Sequence, residues 1–349
     1  MKTIEIKDRK IGADCVPFLI AEISGNHNQS LERALEIVKF IAESGAHALK
    51  LQTYTADTMT IPSAKKDFFI ADQGSLWKNQ SLHDLYQKAY TPWEWHQPIF
   101  ERAKELGLIA FSTPFDLTAV DFLEELNCPL YKIASFENAD LMLIKRVAET
   151  GKPVIMSTGM ATLAELDEAV RTIRATGNDQ IVLLKCTSTY PADPTDSNLR
   201  TIPHLKELFG CEVGLSDHTL GIGVAVAAVA LGATVIEKHF TLSRADGGVD
   251  AAFSMEPHEM KMLVEETRRA YQALGCVHYG PTEAEKKSLV YRRSLYFVKD
   301  MAAGEEITPE SIRSIRPGYG LPPKYYDVLL GKRVKRAVER GTPVSWDVF

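Results

Sequence analysis

The chain has 349 residues, 45% hydrophobic and 25% charged, with a net charge of −6 and no long basic run. That composition fits a soluble globular protein of one large or two medium domains, and without a clustered basic surface nucleic acid is not expected as a partner. Five cysteines, odd in number and without a C-x-x-C pair, argue against a disulfide framework or a structural zinc site and predict a cytoplasmic protein.

The opening Met-Lys-Thr-Ile-Glu-Ile-Lys alternates polar and apolar residues like a strand and holds no apolar signal core. No apolar stretch reaches the roughly 18 residues of a membrane span, so no membrane is expected as a partner. From residue 18 onward, short β-branched runs alternate with longer helical patterns. Segments 18–24, 48–54, 108–115, 130–135, 153–159, 181–188, 212–218 and 234–241 read as eight strands. After the second, residues 55–90 form an insertion with Phe68, Phe69, Trp77, Leu82 and Tyr86 as apolar anchors, on the side where insertions become lids or substrate walls. Thr91-Pro92-Trp93-Glu94 predicts a helix start with a capping threonine, a proline at the first helical position and a capping-box glutamate, and Thr162-Leu163-Ala164-Glu165 repeats the box. The apolar run from Val224 to Ala230 reads as a buried helix.

These patterns predict a domain over 1–275, a linker over 276–290 and a small second domain over 291–349. In the last, Gly304-x-x-Ile307-Thr308 is echoed by Gly341-x-x-Val344-Ser345, each copy placing a hydroxyl where a short helix could be capped. The basic cluster Lys332-Arg333-Val334-Lys335-Arg336 reads as a strand with a solvated face.

Near-continuous apolar strands joined by helices imply a parallel sheet covered on its outer face. A doubly wound sheet would announce a nucleotide with G-x-G-x-x-G after its first strand. Nothing similar stands there, and Gly221-Ile222-Gly223 reads as a tight helix entry. Polar residues instead close nearly every strand: Glu22 and Ser24, Lys50 and Gln52, Thr113, Lys132 and Ser135, Ser157, Ser188, Ser216 and His218, Glu237 and His239. Only a closed (β/α)8 barrel gathers all eight strand ends at one mouth, so the fold class is an α/β TIM barrel followed by a small domain.

Residues two apart on a strand face the same way, which pairs Glu22 with Ser24, Lys50 with Gln52 and Glu237 with His239. Lys50 and Lys132 bring two ammonium groups to the mouth, ringed by the hydroxyls of Thr113, Ser135, Ser157 and Ser188. That set suits a compact, multiply charged anion such as a phosphate. His218 and His239 close neighbouring strands and could share a divalent metal with open positions for water and a substrate oxygen. Equally, one could be a general acid–base and the other structural. His27 and His96 have no such matched partner and read as structural.

Several stretches are similar to those of a known family: Ala21-Glu22-Ile23-Ser24-Gly25-Asn26-His27-Asn28, Lys50-Leu51-Gln52-Thr53-Tyr54, Ser112-Thr113-Pro114-Phe115, Tyr131-Lys132-Ile133-Ala134-Ser135, Gly214-Leu215-Ser216-Asp217-His218-Thr219 and Ile236-Glu237-Lys238-His239-Phe240. Over essentially its whole length the chain resembles the sialic acid synthase family, most closely its pseudaminic acid synthase branch. The tail, with Arg316-Pro317-Gly318, resembles that family's antifreeze-protein-like SAF domain. The resemblance implies a transferase that condenses phosphoenolpyruvate with an acetamido sugar, using a divalent metal ion (Mn2+, Mg2+ or Co2+) on His218 and His239. It implies catalytic roles for Glu22, Lys132, His218 and His239. It implies substrate contacts from Lys50, Gln52, Thr113, Ser135, Ser157, Ser188, Tyr190, Ser216, Glu237, Asp250 and Arg316, the arginine reaching across a domain-swapped homodimer. Ser188 departs from the asparagine of the sialic acid branch. Three other readings stay open: an N-acetylneuraminic or legionaminic acid synthase, a Schiff-base aldolase using Lys132, and a non-catalytic sugar-binding protein.

Overall fold

In the computed structural model, eight parallel strands close a barrel: β1 (Phe18–Glu22), β2 (Ala48–Thr53), β3 (Ile109–Pro114), β4 (Tyr131–Ile133), β5 (Val154–Ser157), β6 (Ile181–Cys186), β7 (Glu212–Ser216) and β8 (Val235–His239). The structure describes residues 3–72 and 76–349. Met1 and Lys2 of the opening alternation, and residues 73–75 of the insertion, lie outside the described residues. β8 pairs with β1 in parallel, Val235 beside Phe18 through His239 beside Glu22, and this seam shuts the ring. The barrel expected from the polar strand ends is therefore the fold. Each strand is shorter than its apolar run suggested, because the last polar residues turn into the loops above.

Eight helices follow the strands: α1 (Leu31–Ser44), α2 (His96–Glu105), α3 (Leu117–Glu125), α4 (Leu141–Ala148), α5 (Leu163–Ala175), α6 (Thr201–Phe209), α7 (Gly223–Ala230) and α8 (Pro257–Leu274). α1 shows the logic. Ala34, Ile37, Val38 and Ile41 form one buried stripe, the Ser30 side chain accepts the Arg33 N–H at the start, and Gly45 ends it in the left-handed region at φ 82°. Burying each of the larger apolar side chains is worth about 1.5–3 kcal/mol.

The Thr162–Glu165 capping box forms as expected. The one at Thr91 does not: residues Trp93–Trp95 make a 3-10 turn without a side-chain cap, and Thr91 turns its hydroxyl to His27 Nε2 at 3.2 Å. α7 is not buried all round, since Ala225, Ala228 and Val229 face inward while Ala227 and Ala230 are exposed. In the insertion the buried anchors are Leu85 and Ala89, whereas Phe69 is exposed. No helix among the described residues is long and apolar enough to cross a membrane, and no disulfide joins the five cysteines.

The chain divides into two compact units, Met1–Gly275 and Cys276–Phe349. The second begins with a segment that includes the 3-10 helix Glu285–Tyr291, followed by antiparallel strands Ser294–Phe297 and Ile312–Ile315. Its core includes Leu295, Phe297, Ile307, Ile312, Leu329, Val334 and Val344. The internal echo is visible here. Gly304 and Gly341 both take positive φ, at 84° and 89°, and Ile307 and Val344 both enter the core. The capping expectation fails, because Thr308 opens a turn and Ser345 bonds Asp347 instead of a backbone N–H. The basic cluster is not a regular strand: Val334 is buried, and Arg333 and Arg336 pair with Glu306 and Asp347 at the surface.

Candidate active site

Barrel register sets the first contacts. Glu22 stands beside Lys50 across the β1–β2 pair and beside His239 across the closing seam. Its carboxylate accepts a hydrogen bond from Gln52 Nε2 at 2.8 Å on one oxygen. The other oxygen is 3.0 Å from Lys50 Nζ and 3.2 Å from His239 Nε2. Lys50 also donates to Glu237 Oε1 at 2.8 Å, and that oxygen accepts from Ser216 Oγ at 3.2 Å and lies 3.6 Å from Lys132 Nζ. Lys132 in turn donates to Ser157 Oγ at 2.6 Å. Both lysines thus share one carboxylate in the buried interior.

These charges govern one another. Burial pushes the Glu22 carboxyl up, but Lys50, His239 and Lys132 outweigh it and hold the group well below the usual carboxylate range. Glu237 follows the same pattern, with Lys132 and Lys50 overcoming burial. Burial pushes Lys50 down, yet Glu22 and Glu237 raise it above the ordinary lysine value. Lys132 goes the other way: burial, with Lys50 nearby, depresses it despite Glu237.

Three buried polar atoms of this set, Thr113 Oγ1, Glu237 Oε2 and His239 Nδ1, have no hydrogen-bond partner among the described residues. Each such unmade bond costs about 1–3 kcal/mol, which a bound ligand would recover. Ser135 opens a 3-10 turn just beyond β4, and its hydroxyl accepts the Gly159 N–H at 3.2 Å. Ser188 lies past the end of β6, yet it converges on the same glycine. A Cβ on Gly159 would stand 2.2 Å from Ser188 Oγ and 2.6 Å from Ser135 Oγ. The two hydroxyls fill the space that a side chain would take.

His218 lies two residues beyond β7, and its ring centroid is 5.3 Å from that of His239. Its Nδ1 is 2.9 Å from the Thr187 carbonyl, which makes that nitrogen an N–H donor, so that in the neutral ring Nε2 carries the lone pair. His239 Nδ1 faces Asp250 Oδ2 at 3.9 Å, and Asp250 accepts from Ser24 Oγ. Phe253 and Tyr190 pack on the rings, Tyr190 at 4.5 Å from His218 and Phe253 at 5.0 Å from His239. Burial pushes His218 down, but Cys186 and the Thr187 carbonyl raise it; burial keeps His239 low despite Glu22 and Asp250. Asp250 is pushed up by burial. Among the described residues no set of three or more His, Cys, Asp or Glu is arranged to hold a metal. An ion here would take the two imidazoles, through His218 Nε2 in place of its proton and a nitrogen of His239, and complete its sphere with water and substrate oxygen. The donor chemistry fits that role.

The barrel unit thus brings together Glu22, Lys50, Gln52, Lys132, Ser157, Ser216, Glu237, His218, His239, Tyr190 and Asp250. It joins Ser135 and Ser188 around Gly159 and leaves Thr113 buried with a free hydroxyl. Arg316 belongs to the second unit, directly after the strand Ile312–Ile315. His27 and His96, read as structural, are both fully buried and hydrogen-bonded, and burial takes each down to about 4. Of the insertion's aromatics, Trp77 packs toward Tyr190 at 6.0 Å and Tyr86 against Tyr54 at 5.7 Å. A cavity of about 550 Å3 beside Trp77 is of mixed character, lined by Leu76, Leu85 and Val249 and by Asn28, Gln80 and Lys88 among others. Phe253, Cys186 and Gly159 were not anticipated. Cys186 alone had a signal, as the last inward residue of β6 in register with Ser216.

Comparison with known proteins agrees with this geometry. The NeuB family model matches residues 37–279, and the SAF domain model matches residues 292–349. The chain is 45% identical to the pseudaminic acid synthase of Helicobacter pylori over 95% of its own length and 97% of the relative's. It is also 45% identical to the pseudaminic acid synthase of Campylobacter jejuni, over 95% and 96% of the two chains. A crystal structure of N-acetylneuraminic acid synthetase from Leptospira borgpetersenii superposes with a TM-score of 0.74 at 32% identity, covering 83% of this chain and 96% of that one.

Proposed function

The chain belongs to the NeuB family, and on that premise we propose that it is a pseudaminic acid synthase. It condenses phosphoenolpyruvate with 2,4-diacetamido-2,4,6-trideoxy-β-L-altropyranose and water, giving pseudaminic acid and phosphate. The observation that carries the reading is the pair of buried ammonium groups, Lys50 and Lys132, held on one carboxylate oxygen of Glu237 within reach of the Ser157 hydroxyl. Two lysines balanced by Glu22 and Glu237 leave the inner site electrically neutral. A multiply charged anion therefore needs further positive charge, and His218 and His239 would hold a divalent ion that supplies it and acts as a Lewis acid toward the sugar aldehyde.

In this reading Lys50, Lys132, Thr113, Ser135, Ser157 and Ser188 bind the phosphate and carboxylate of phosphoenolpyruvate. Its C3 attacks the aldehyde carbon and positive charge develops at C2. Glu22, held ionised by Lys50 and His239, stabilises that charge better than it serves as a base. Water adds at C2, and phosphate leaves against the two lysines. Arg316 completes the sugar site from the partner chain of a homodimer. Similarity to the pseudaminic acid synthases supports a sugar with a C6 methyl and a second acetamido group over N-acetylmannosamine, and Trp77, packed toward Tyr190, offers apolar surface for such groups.

Mass spectrometry of products from phosphoenolpyruvate with each sugar, side by side, tests the proposal. Equal or better use of N-acetylmannosamine moves the chain to the sialic acid branch, and absence of phosphate release with any acetamido sugar overturns the reaction. The depressed Lys132 favours one second reading, a Schiff-base aldolase. Borohydride trapping of pyruvate on Lys132 would establish it.

A further inference from the structure

The reaction as derived leaves the buried charge of Lys238 unused. Lys238 lies on β8 between Glu237 and His239, so its side chain points outward, into the layer between barrel and helices, where it is 1% exposed. An ammonium has three N–H donors and no acceptor. All three are matched: Asp217 Oδ2 at 2.9 Å, the Thr219 carbonyl at 2.7 Å and the Gly221 carbonyl at 3.0 Å. The other oxygen of Asp217 accepts from the Thr219 N–H at 2.9 Å and the Thr219 hydroxyl at 2.8 Å.

The segment gripped in this way carries His218. The main-chain ladder between β7 and β8 ends where the Asp217 N–H donates to the Glu237 carbonyl at 2.9 Å. Beyond that point, the ties from residues 218–221 back to β8 that the described residues display are those of the Lys238 ammonium. His218 follows Asp217 directly, and His239 follows Lys238 directly. A buried ion pair adds little stability over apolar residues of similar size, because desolvating both charges offsets their attraction. What it adds is direction, since each N–H must meet its acceptor.

We propose that Lys238 is a positioning residue: with Asp217 it forms a buried clamp that fixes the main chain around His218 against β8 and so sets the separation of the two imidazoles. The clamp's consequence for metal binding rests on the proposed use of that pair. The test is the double variant Lys238→Met with Asp217→Asn, which removes both charges together so that neither is left buried alone. Calorimetric titration with Mn2+ should give a dissociation constant raised at least about tenfold, the scale on which groups behind metal ligands act. The KM for phosphoenolpyruvate stays within about twofold while kcat falls, because the lysine cradle is not part of the clamp. A crystal structure of the variant should show the His218 ring displaced from its 5.3 Å spacing to His239. Unchanged Mn2+ affinity with unchanged spacing overturns the clamp, and so does a loss of Mn2+ and phosphoenolpyruvate affinity in step with thermal stability. If the unaltered protein binds no Mn2+, the metal reading fails by itself and the ring spacing alone decides the clamp. Should the double variant not fold, Lys238→Gln with Asp217→Asn, which keeps two donors at position 238 and leaves no charge buried alone, is measured in the same ways.

Discussion

Replacing Gly159 by alanine should separate the two serines from the ligand they are proposed to hold. The new Cβ would sit 2.2 Å from Ser188 Oγ and 2.6 Å from Ser135 Oγ, closer than any real carbon–oxygen contact, so both hydroxyls must rotate away. Rotation relieves both oxygen contacts, while Ser135 Cβ, at 3.0 Å from the new carbon, must give by a few tenths of an ångström. The cost to folding is the broken Gly159 N–H to Ser135 bond, about 1 kcal/mol or roughly 2–4 °C in a domain of this size, plus the small shift of Ser135 Cβ. The cost to binding is larger. A hydrogen bond to a charged group contributes about 1.5–3 kcal/mol, so losing two weakens phosphoenolpyruvate by at least about 100-fold. Steady-state kinetics with phosphoenolpyruvate as the varied substrate, alongside a thermal melt, measures both. A KM within threefold of the unaltered protein, in a variant that remains folded at the assay temperature, would refute the assignment of Ser135 and Ser188 to that ligand.

Chelation should abolish turnover, and Mn2+, Mg2+ or Co2+ should restore it; His239→Ala should be inactive at any metal concentration, and full activity in verified metal-free protein would sink the Lewis-acid role. With oxygen-18 at the bridging position of phosphoenolpyruvate, the label should leave in phosphate, whereas label retained in the sugar acid would mean phosphorus–oxygen cleavage. Mixing inactive Arg316→Ala with inactive Lys132→Ala protein should regain partial activity once mass spectrometry shows mixed dimers, and mixed dimers that stay dead count against a shared site. Burial, reinforced by Asp140 and only partly offset by Lys132, raises the Glu137 carboxyl to about 7. The folded state therefore binds more protons than the unfolded one between the two pKa values, and this contribution is full at low pH and lost as pH rises through about 7. Glu137→Gln should gain in melting temperature relative to the unaltered protein between pH 5 and pH 8, and a pH-independent difference would contradict the shift.

The barrel was legible because its information is local. Apolar runs, helix starts and polar strand ends all lie within a few residues of one another. The lysine cradle followed, since alternation along β2 and β8 places Lys50, Gln52, Glu237 and His239 on inward faces. What escaped is what depends on contacts between distant segments. Thr91 reads as a capping residue from its neighbours, yet His27, 64 residues earlier, claims the hydroxyl. Phe69 looks like an anchor by composition, but Leu85 and Ala89 take that place because helix Leu82–Ala89 turns them inward. Gly159 carries no pattern at all. Its meaning lies in two serines from other loops.

The closing seam between β8 and β1 has a consequence for how activity is acquired. Glu22 and His239 come from opposite ends of the barrel sequence, Lys50 meets Glu237 across 187 residues, and Ser24 meets Asp250 across 226. Contacts of such sequence separation form late, because the entropy of closing long loops must be met before they contribute. A half-barrel can hold Glu22 with Lys50 and Gln52, or Lys132 with Ser157, but not the Glu237 and His239 contacts that join these groups into one centre. Turnover is therefore a reporter of ring closure itself: it should return with the final strand pairing and lag behind the recovery of helical structure.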